Sequence, residues 1–294
     1  MTYAHGWYCL AFEDELTSPL TPVTVDGRRL MIVRRDAGIE VFDADCPHRG
    51  AHLAVGGRLE DRHVVCPYHA YRIRLGGEAA GWSVRRYESL FRAGAVYVRL
   101  SEAEDNGWPA TLDGLLEDHD VTPGLTIPLS TTMEAVIENG FDRLHFHAVH
   151  RLSVHSFTVS PAPDGALTVR GRFSTRTRDG SPSDLSYDAR AFSPGLILVQ
   201  LGGSAPYGVI TGAITTSPTT CTARLSFVFP KGTLATAQGQ RQKAGLADYS
   251  RQGLTDDDRV WRNVSRSAVP HWSPDDESVR GFYAFCRRFE SGSA

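Results

Sequence analysis

The sequence predicts an α+β fold in two parts: a small antiparallel β domain, then a second antiparallel sheet followed by a long C-terminal helix. Short β-rich runs broken by Gly, Asp and Pro fill the chain from Trp7 to about Leu100, the punctuation expected of antiparallel strands. Further on, Cys221, Ala223, Leu225, Phe227 and Phe229 alternate with Thr222, Arg224 and Ser226, which sets one face of a strand against a core. After Pro230-Lys231-Gly232, the stretch from Thr233 to Ser265 is rich in Ala, Gln, Lys, Arg and Leu and free of Pro, the composition of a long helix. At 294 residues the chain has room for two cores.

In the first part, candidate strands lie at 20–25, 30–33, 40–42, 64–66 and 95–100, with Asp26-Gly27 and Ala37-Gly38 as turns. Arg49-Gly50 and Gly56-Gly57 supply positions that tolerate close backbone approach. Residues 101–124 turn acidic, with Glu102, Glu104, Asp105, Glu117, Asp118 and Asp120, and read as a loop; domains of 1–105 and 106–294 follow. Residues 127–137 suit a strand or the start of a helix, and strands are predicted at 167–173, 196–201, 207–215 and 221–229. The net charge of −3, with signs well mixed, argues against nucleic acid and against a polybasic membrane face. No run of eighteen apolar residues occurs, and Met1 to Trp7 has no leader-like pattern, so a cytoplasmic protein without a membrane span is expected. Of five Cys, Cys9, Cys221 and Cys286 are scattered without a pairing spacing and are read as buried, inert thiols of a reducing compartment.

The other two Cys carry chemistry. Cys46-Pro47-His48 and, after a gap of seventeen residues, Cys66-Pro67-Tyr68-His69 form mirrored knuckles that each mix a thiolate with an imidazole. Two Cys on one iron and two His on the other is the ligand set of a Rieske [2Fe–2S] cluster, whose imidazoles raise its potential above that of an all-Cys cluster. A structural zinc site is the alternative, and it fits less well, because zinc fingers pair Cys with Cys and His with His.

A second constellation packs Asp142, His145, His147 and His150 into nine residues. Two His and one carboxylate make the facial triad of non-haem Fe(II) sites. On an undistorted helix His145 and His150 point about 140° apart, whereas His147 and His150 share a face. Spacing alone therefore leaves open whether His145 or His147 pairs with His150. A π-bulge or a helix end would bring His145 and His150 together.

Taken in order, Cys46-x-His48, Cys66-x-x-His69 and Asp142-x-x-His145-x-x-x-x-His150 resemble the oxygenase (alpha) subunits of Rieske non-haem iron oxygenases. The wording of Gly6-Trp7-Tyr8, Cys46 to Leu53 and Glu138-Asn139-Gly140-Phe141-Asp142 resembles the 3-ketosteroid 9α-hydroxylase and cholesterol 7-desaturase branch. The resemblance implies an N-terminal Rieske domain, then a helix-grip (START-like) catalytic domain. It implies iron ligands His145, His150 and one Asp of Asp256-Asp257-Asp258 before Val260-Trp261; distance from Trp261 favours Asp257, and Asp256 or Asp258 could also serve. Asp142 and Asn139 become catalytic candidates, Asp142 as a bridge between a ligand His and a cluster His of a neighbouring subunit in a head-to-tail homotrimer, and His147 becomes packing or support. A [2Fe–2S] cluster and a mononuclear Fe(II) are the implied cofactors. An NAD(P)H-dependent reductase or ferredoxin, dioxygen and a hydrophobic small molecule are the implied partners, the last in a pocket lined by Tyr207, Phe227 and Phe229. The reaction is expected to be hydroxylation, desaturation or demethylation; a non-catalytic Rieske carrier with a binding domain is the alternative. Two departures stand out: Ala70-Tyr71 replaces the usual Gly-Trp after the second cluster His, and Ala51 and Tyr68 stand where respiratory Rieske proteins carry a disulfide.

Overall fold

The computed structural model describes residues 2–77, 82–176, 181–203, 205–265 and 267–292. The N-terminal part holds strands β1 (Trp7–Phe12), β2 (Leu20–Val25), β3 (Arg28–Arg35), β4 (Gly38–Asp43), β5 (Arg58–Glu60), β6 (His63–Val65), β7 (Arg72–Leu75), β8 (Ser83–Val84), β9 (Arg86–Arg92) and β10 (Ala95–Arg99). Six of them form a sheet in the order β1-β10-β9-β4-β3-β2, and β5-β6-β7-β8 form a smaller sheet beside it. The first Cys/His knuckle follows β4, and the second is the loop of the β6–β7 hairpin. Beneath both, Met31, Val33, Phe42, Leu53, Val64 and Ile73 make a compact core that includes Cys46 and Cys66.

The acidic stretch 101–124, expected as a loop, instead contains helix α1 (Trp108–Asp118) and the first half of β11 (His119–Leu129). Trp108, Leu112 and Leu115 recur at i, i+4 and i+7 and are buried, so a narrow apolar stripe outweighs the acids on the solvent side. The 127–137 segment is the end of β11 followed, after a break, by α2 (Met133–Glu138). A 3₁₀ turn over Asn139–Phe141 leads into α3 (Arg143–Ala148).

Strands β12 (Ser153–Pro161), β13 (Leu167–Arg176), β14 (Pro182–Ser193), β15 (Leu196–Gly202), β16 (Tyr207–Ser217) and β17 (Thr220–Pro230) complete, with β11, a seven-stranded antiparallel sheet ordered β11-β17-β16-β15-β14-β13-β12. Helix α4 (Ala237–Trp261) packs Leu246, Ala247, Leu254 and Trp261 against the core of this sheet. Its start is fixed by Thr236, whose hydroxyl accepts from the Gly239 amide at 2.9 Å, an N-cap bond. A last helix, α5 (Glu277–Cys286), buries Val279, Phe282, Phe285 and Cys286. Cys9, Cys221 and Cys286 are buried.

The two parts share a core in which Tyr8, Leu10, Val96 and Val98 meet Leu125, Met133, Ile137 and Phe282. Arg224 on β17 makes a two-pronged ion pair with Glu15, at 2.7 and 3.0 Å.

Candidate metal centres and their cavity

The two knuckles are built alike. The amides of Gly50 and Ala70 donate to the carbonyls of Cys46 and Cys66 (2.8 and 3.0 Å), and the cysteine amides donate to the carbonyls of Ala51 and Tyr71 (both 2.9 Å). Both loops close through a left-handed residue, Gly50 at φ 71° and Ala70 at φ 57°. The Cys46 sulfur accepts from the amides of His48 and Arg49, while burial, the larger effect, pushes its thiol pKa up. His48 and His69 bring their Nδ1 atoms to 3.1 Å of each other. Two buried thiols and two facing imidazoles are a donor set that fits a [2Fe–2S] cluster.

Aromatic rings surround that edge. Tyr68 lies over His69 with centroids 3.7 Å apart, and Tyr71 stacks on Trp82 at 4.6 Å while meeting His48 edge-on at 4.8 Å. Tyr68, Tyr71 and Trp82 remain 59%, 43% and 48% exposed. The Ala70-Tyr71 departure thus keeps an aromatic beside the knuckle and pairs it with Trp82, a residue the motif does not include.

In the second part, α3 ends at Ala148 and Arg151 takes a left-handed φ of 56°, so the chain leaves the helix before His150. This helix end selects His145 over His147. His145 Nε2 and His150 Nε2 lie 3.0 Å apart, while His147 is exposed. Asp142 caps α3: its Oδ1 accepts from the amides of Leu144 and His145 at 2.9 and 3.0 Å.

Helix α4 sorts the three consecutive Asp by its 100° steps. Asp256 bonds Gln252 and Arg259. Asp258 accepts the Ser130 amide at 2.6 Å and pairs with Arg262. Asp257, 4% exposed, turns inward, and its Oδ1 lies 3.4 Å from His145 Nε2 and 3.7 Å from His150 Nε2. That oxygen is buried without a hydrogen-bond partner, whereas Oδ2 accepts from Asn139 Nδ2 at 3.0 Å. A buried, unsatisfied carboxylate oxygen is costly, and a cation among three donors within 4.8 Å of one another would remove that cost. Two imidazoles and a carboxylate on one side of a cavity fit a mononuclear iron. Burial, more than the neighbouring His150, lowers the His145 pKa to about 4 and keeps that imidazole neutral; burial likewise pushes Asp257 up to about 7.

The three donors border a cavity of about 370 Å³ whose other walls include Val136, Phe146, Phe173, Tyr187, Val199 and Leu225. The Tyr187 phenol donates to the Gly140 carbonyl at 3.0 Å, holding the turn that carries Asn139. Of the expected pocket residues, Tyr207 lines this cavity and Phe229 an adjoining one, but Phe227 is fully buried and packs against Gly124. Clefts of about 700 and 480 Å³ lie along β12 with α5 and on the outer side of the sheet, away from the three donors.

The Rieske [2Fe-2S] domain profile matches residues 6–87, and the 3-Ketosteroid 9alpha-hydroxylase C-terminal domain profile matches residues 98–289. The chain belongs to this family of Rieske oxygenases. Among relatives, cholesterol 7-desaturase nvd of Bombyx mori is 29% identical over 167 residues, covering 52% of this chain and 37% of that protein. The carnitine monooxygenase oxygenase subunit of Escherichia coli (strain K12) is 36% identical over 108 residues, covering 34% of this chain and 28% of that protein. The Rieske oxygenase chain thus aligns with well under half the length of these relatives. Its fold is also that of dicamba monooxygenase bound to dicamba, with a TM-score of 0.72, 17% identity and 97% of both chains covered. Pseudomonas putida CBB5 NdmA with caffeine gives 0.71 at 16% identity, covering 97% of this chain and 90% of that one.

Proposed function

We propose that this Rieske oxygenase oxidises a hydrophobic small molecule with dioxygen, using electrons from an NAD(P)H-dependent reductase or a ferredoxin. The observation that carries this reading is the buried Asp257 oxygen without a hydrogen-bond partner converging with two imidazoles at the wall of an apolar cavity. In this reading Cys46, His48, Cys66 and His69 hold the [2Fe–2S] cluster, and His145, His150 and Asp257 hold the mononuclear iron. Such an iron, when bound, offers open positions at which dioxygen is reduced with electrons passed from the cluster.

The chain's own residues do the rest. Asn139 orients the Asp257 carboxylate through its second oxygen, the kind of support that fixes ligand direction and basicity. Asp142, whose Oδ1 is committed to the α3 cap, offers its other oxygen to the cluster histidine of a neighbouring copy in a head-to-tail trimer. The aromatic wall of Phe146, Phe173 and Tyr187, with centroids 4.8 to 5.2 Å apart, excludes water and seats the substrate by apolar contact. No helix among the described residues is long and apolar enough to cross a membrane, and a cytoplasmic site of action fits the reading. Desaturation, as in the name of the cholesterol relative, and monooxygenation, as in the carnitine one, are both open to this site.

The test is a screen of neutral lipophiles with the reduced protein and labelled dioxygen, following oxygen uptake, peroxide and product. Uptake coupled to an oxidised product supports the reading. Reoxidation of the cluster with no oxygen-dependent product from any compound would reduce the chain to an electron carrier.

A further inference from the structure

The cavity at the three donors is not the end of the apolar space. A second chamber of about 430 Å³ adjoins it, and the two share Leu152, Leu201, Tyr207, Leu246 and Tyr249 as a common wall. That wall has a simple origin. Leu201 and Tyr207 are cross-strand partners of β15 and β16, so their side chains lie on the same face of the sheet. Leu246 and Tyr249 are three residues apart on α4 and share one helix face. Two aliphatic–aromatic pairs, one from the sheet and one from the helix, thus make a waist between chambers.

The chemistry of the lining is one-sided. The far chamber adds Leu185, Ala205, Pro206 and Phe229, with Thr175 and Gln242 as its polar groups besides the two phenols. Among the described residues that line either chamber, none is Lys or Arg. The acids of the lining, Asp256 and Asp257, are both at the metal end. A carboxylate or phosphate on the substrate would be buried here without a counter-charge, which strongly disfavours it. A cationic end group in the far chamber would likewise find no acid among the described lining residues.

We infer that the substrate is an uncharged, elongated lipophile that passes the waist, with one end beside the three donors and the other in the chamber walled by Leu185, Ala205 and Phe229. The inference rests on the oxygenase reading for which end reacts, but the two-chamber binding is measurable without turnover. Each methylene buried beyond the waist tightens binding about fourfold, so affinity climbs with length until both chambers are full. Any polar group at the far end is uncharged, a hydroxyl or carbonyl within the reach of Thr175 or Gln242.

The probes are 4-n-alkylphenols from ethyl to nonyl, measured by calorimetry on the metal-loaded protein against the matching 4-n-alkylbenzoates. The native chain should bind the phenols progressively more tightly across the series and each benzoate at least tenfold more weakly. Leu185→Trp and, on the exposed β15–β16 connection, Ala205→Trp fill only the far chamber. In both, the long phenols should lose at least tenfold while ethylphenol is unchanged, and unchanged ethylphenol binding reports intact folding. An affinity that levels off at the same short length in the native chain and both variants would overturn the two-chamber binding, and benzoates binding as well as phenols would overturn the uncharged class. Iron and sulfide content of the same samples reads the oxygenase assignment separately.

Discussion

At the scale of single residues, the site depends on which atom each side chain leaves free. Asn139 takes one oxygen of Asp257 and leaves the other to the imidazoles. Asn139→Ala should weaken iron binding at His145, His150 and Asp257 by about 10- to 100-fold, with the visible spectrum of the cluster unchanged. Fe(II) titration of the metal-depleted protein checks this. Asp142 is both an α3 cap and the proposed bridge, so Asp142→Ala confounds the two, since losing a cap alone costs about 0.5–2 kcal/mol. Asp142→Asn keeps an acceptor for Leu144 and His145. It should retain both metal centres and unfold near the native temperature while turnover falls by orders of magnitude. Normal coupled turnover in Asp142→Asn would remove the bridge. The resemblance picked out His145, His150 and Asp257, whose ligand atoms the fold brings within 4.8 Å of one another, where spacing alone could not choose. The sequence did not carry Tyr187 or Trp82, whose partners Gly140 and Tyr71 are close only in the folded chain.

At the scale of elements, ends matter more than middles. The break of α3 at Ala148 and the left-handed Arg151 are what return His150 to His145. In the cluster loops the equivalent closing residues are Gly50 and Ala70, and only Ala70 carries a Cβ in the left-handed region. Such a conformation costs a non-glycine residue about 1–2 kcal/mol. Ala70→Gly should therefore delay thermal bleaching of the cluster by a comparable amount, less the greater freedom of glycine in the unfolded chain; the visible band followed on heating measures it. Alternation and turn residues made β2, β3, β4, β6, β10, β13, β15, β16 and β17 legible, but not β1, β5, β7, β8, β9, β12 or β14. Two helices were not legible either. In α1 the acids Asp113, Glu117 and Asp118 hid the stripe of Trp108, Leu112 and Leu115. In α5, Phe282-Tyr283-Ala284-Phe285-Cys286 reads like a buried strand over so few residues, and only packing against the core decides for helix.

At the scale of the whole molecule, the N-terminal sheet and the catalytic sheet are welded rather than tethered. Within the second part, a contact between two helices is ionisable. Glu138 on α2 accepts a hydrogen bond from Tyr283 on α5, and burial, the largest influence, raises its pKa from 4.5 to about 7. Between pH 4.5 and 7 the folded chain therefore holds a proton that the unfolded chain has released, so this group's contribution to stability falls as pH rises through that window and is flat above it. Glu138→Gln keeps the acceptor and removes the titration. It should unfold a few degrees above the native chain at pH 8, on a scale of ~2–4 °C per kcal/mol for a chain this size, and no higher at pH 5. Equal melting temperatures at pH 8 would show that Glu138 ionises without cost. Light scattering tests the proposed trimer, in which the exposed Tyr68, Tyr71 and Trp82 would meet a neighbouring copy.

In the proposed enzyme one chain joins a [2Fe–2S] cluster to a separate iron held by His145, His150 and Asp257. Iron and acid-labile sulfide, counted per chain in the native protein and in His150→Ala, test it most directly. The native chain should hold three irons and two sulfides, and the variant two irons with both sulfides and the cluster spectrum intact. Two irons in both proteins, or loss of sulfide on replacing His150, would contradict it.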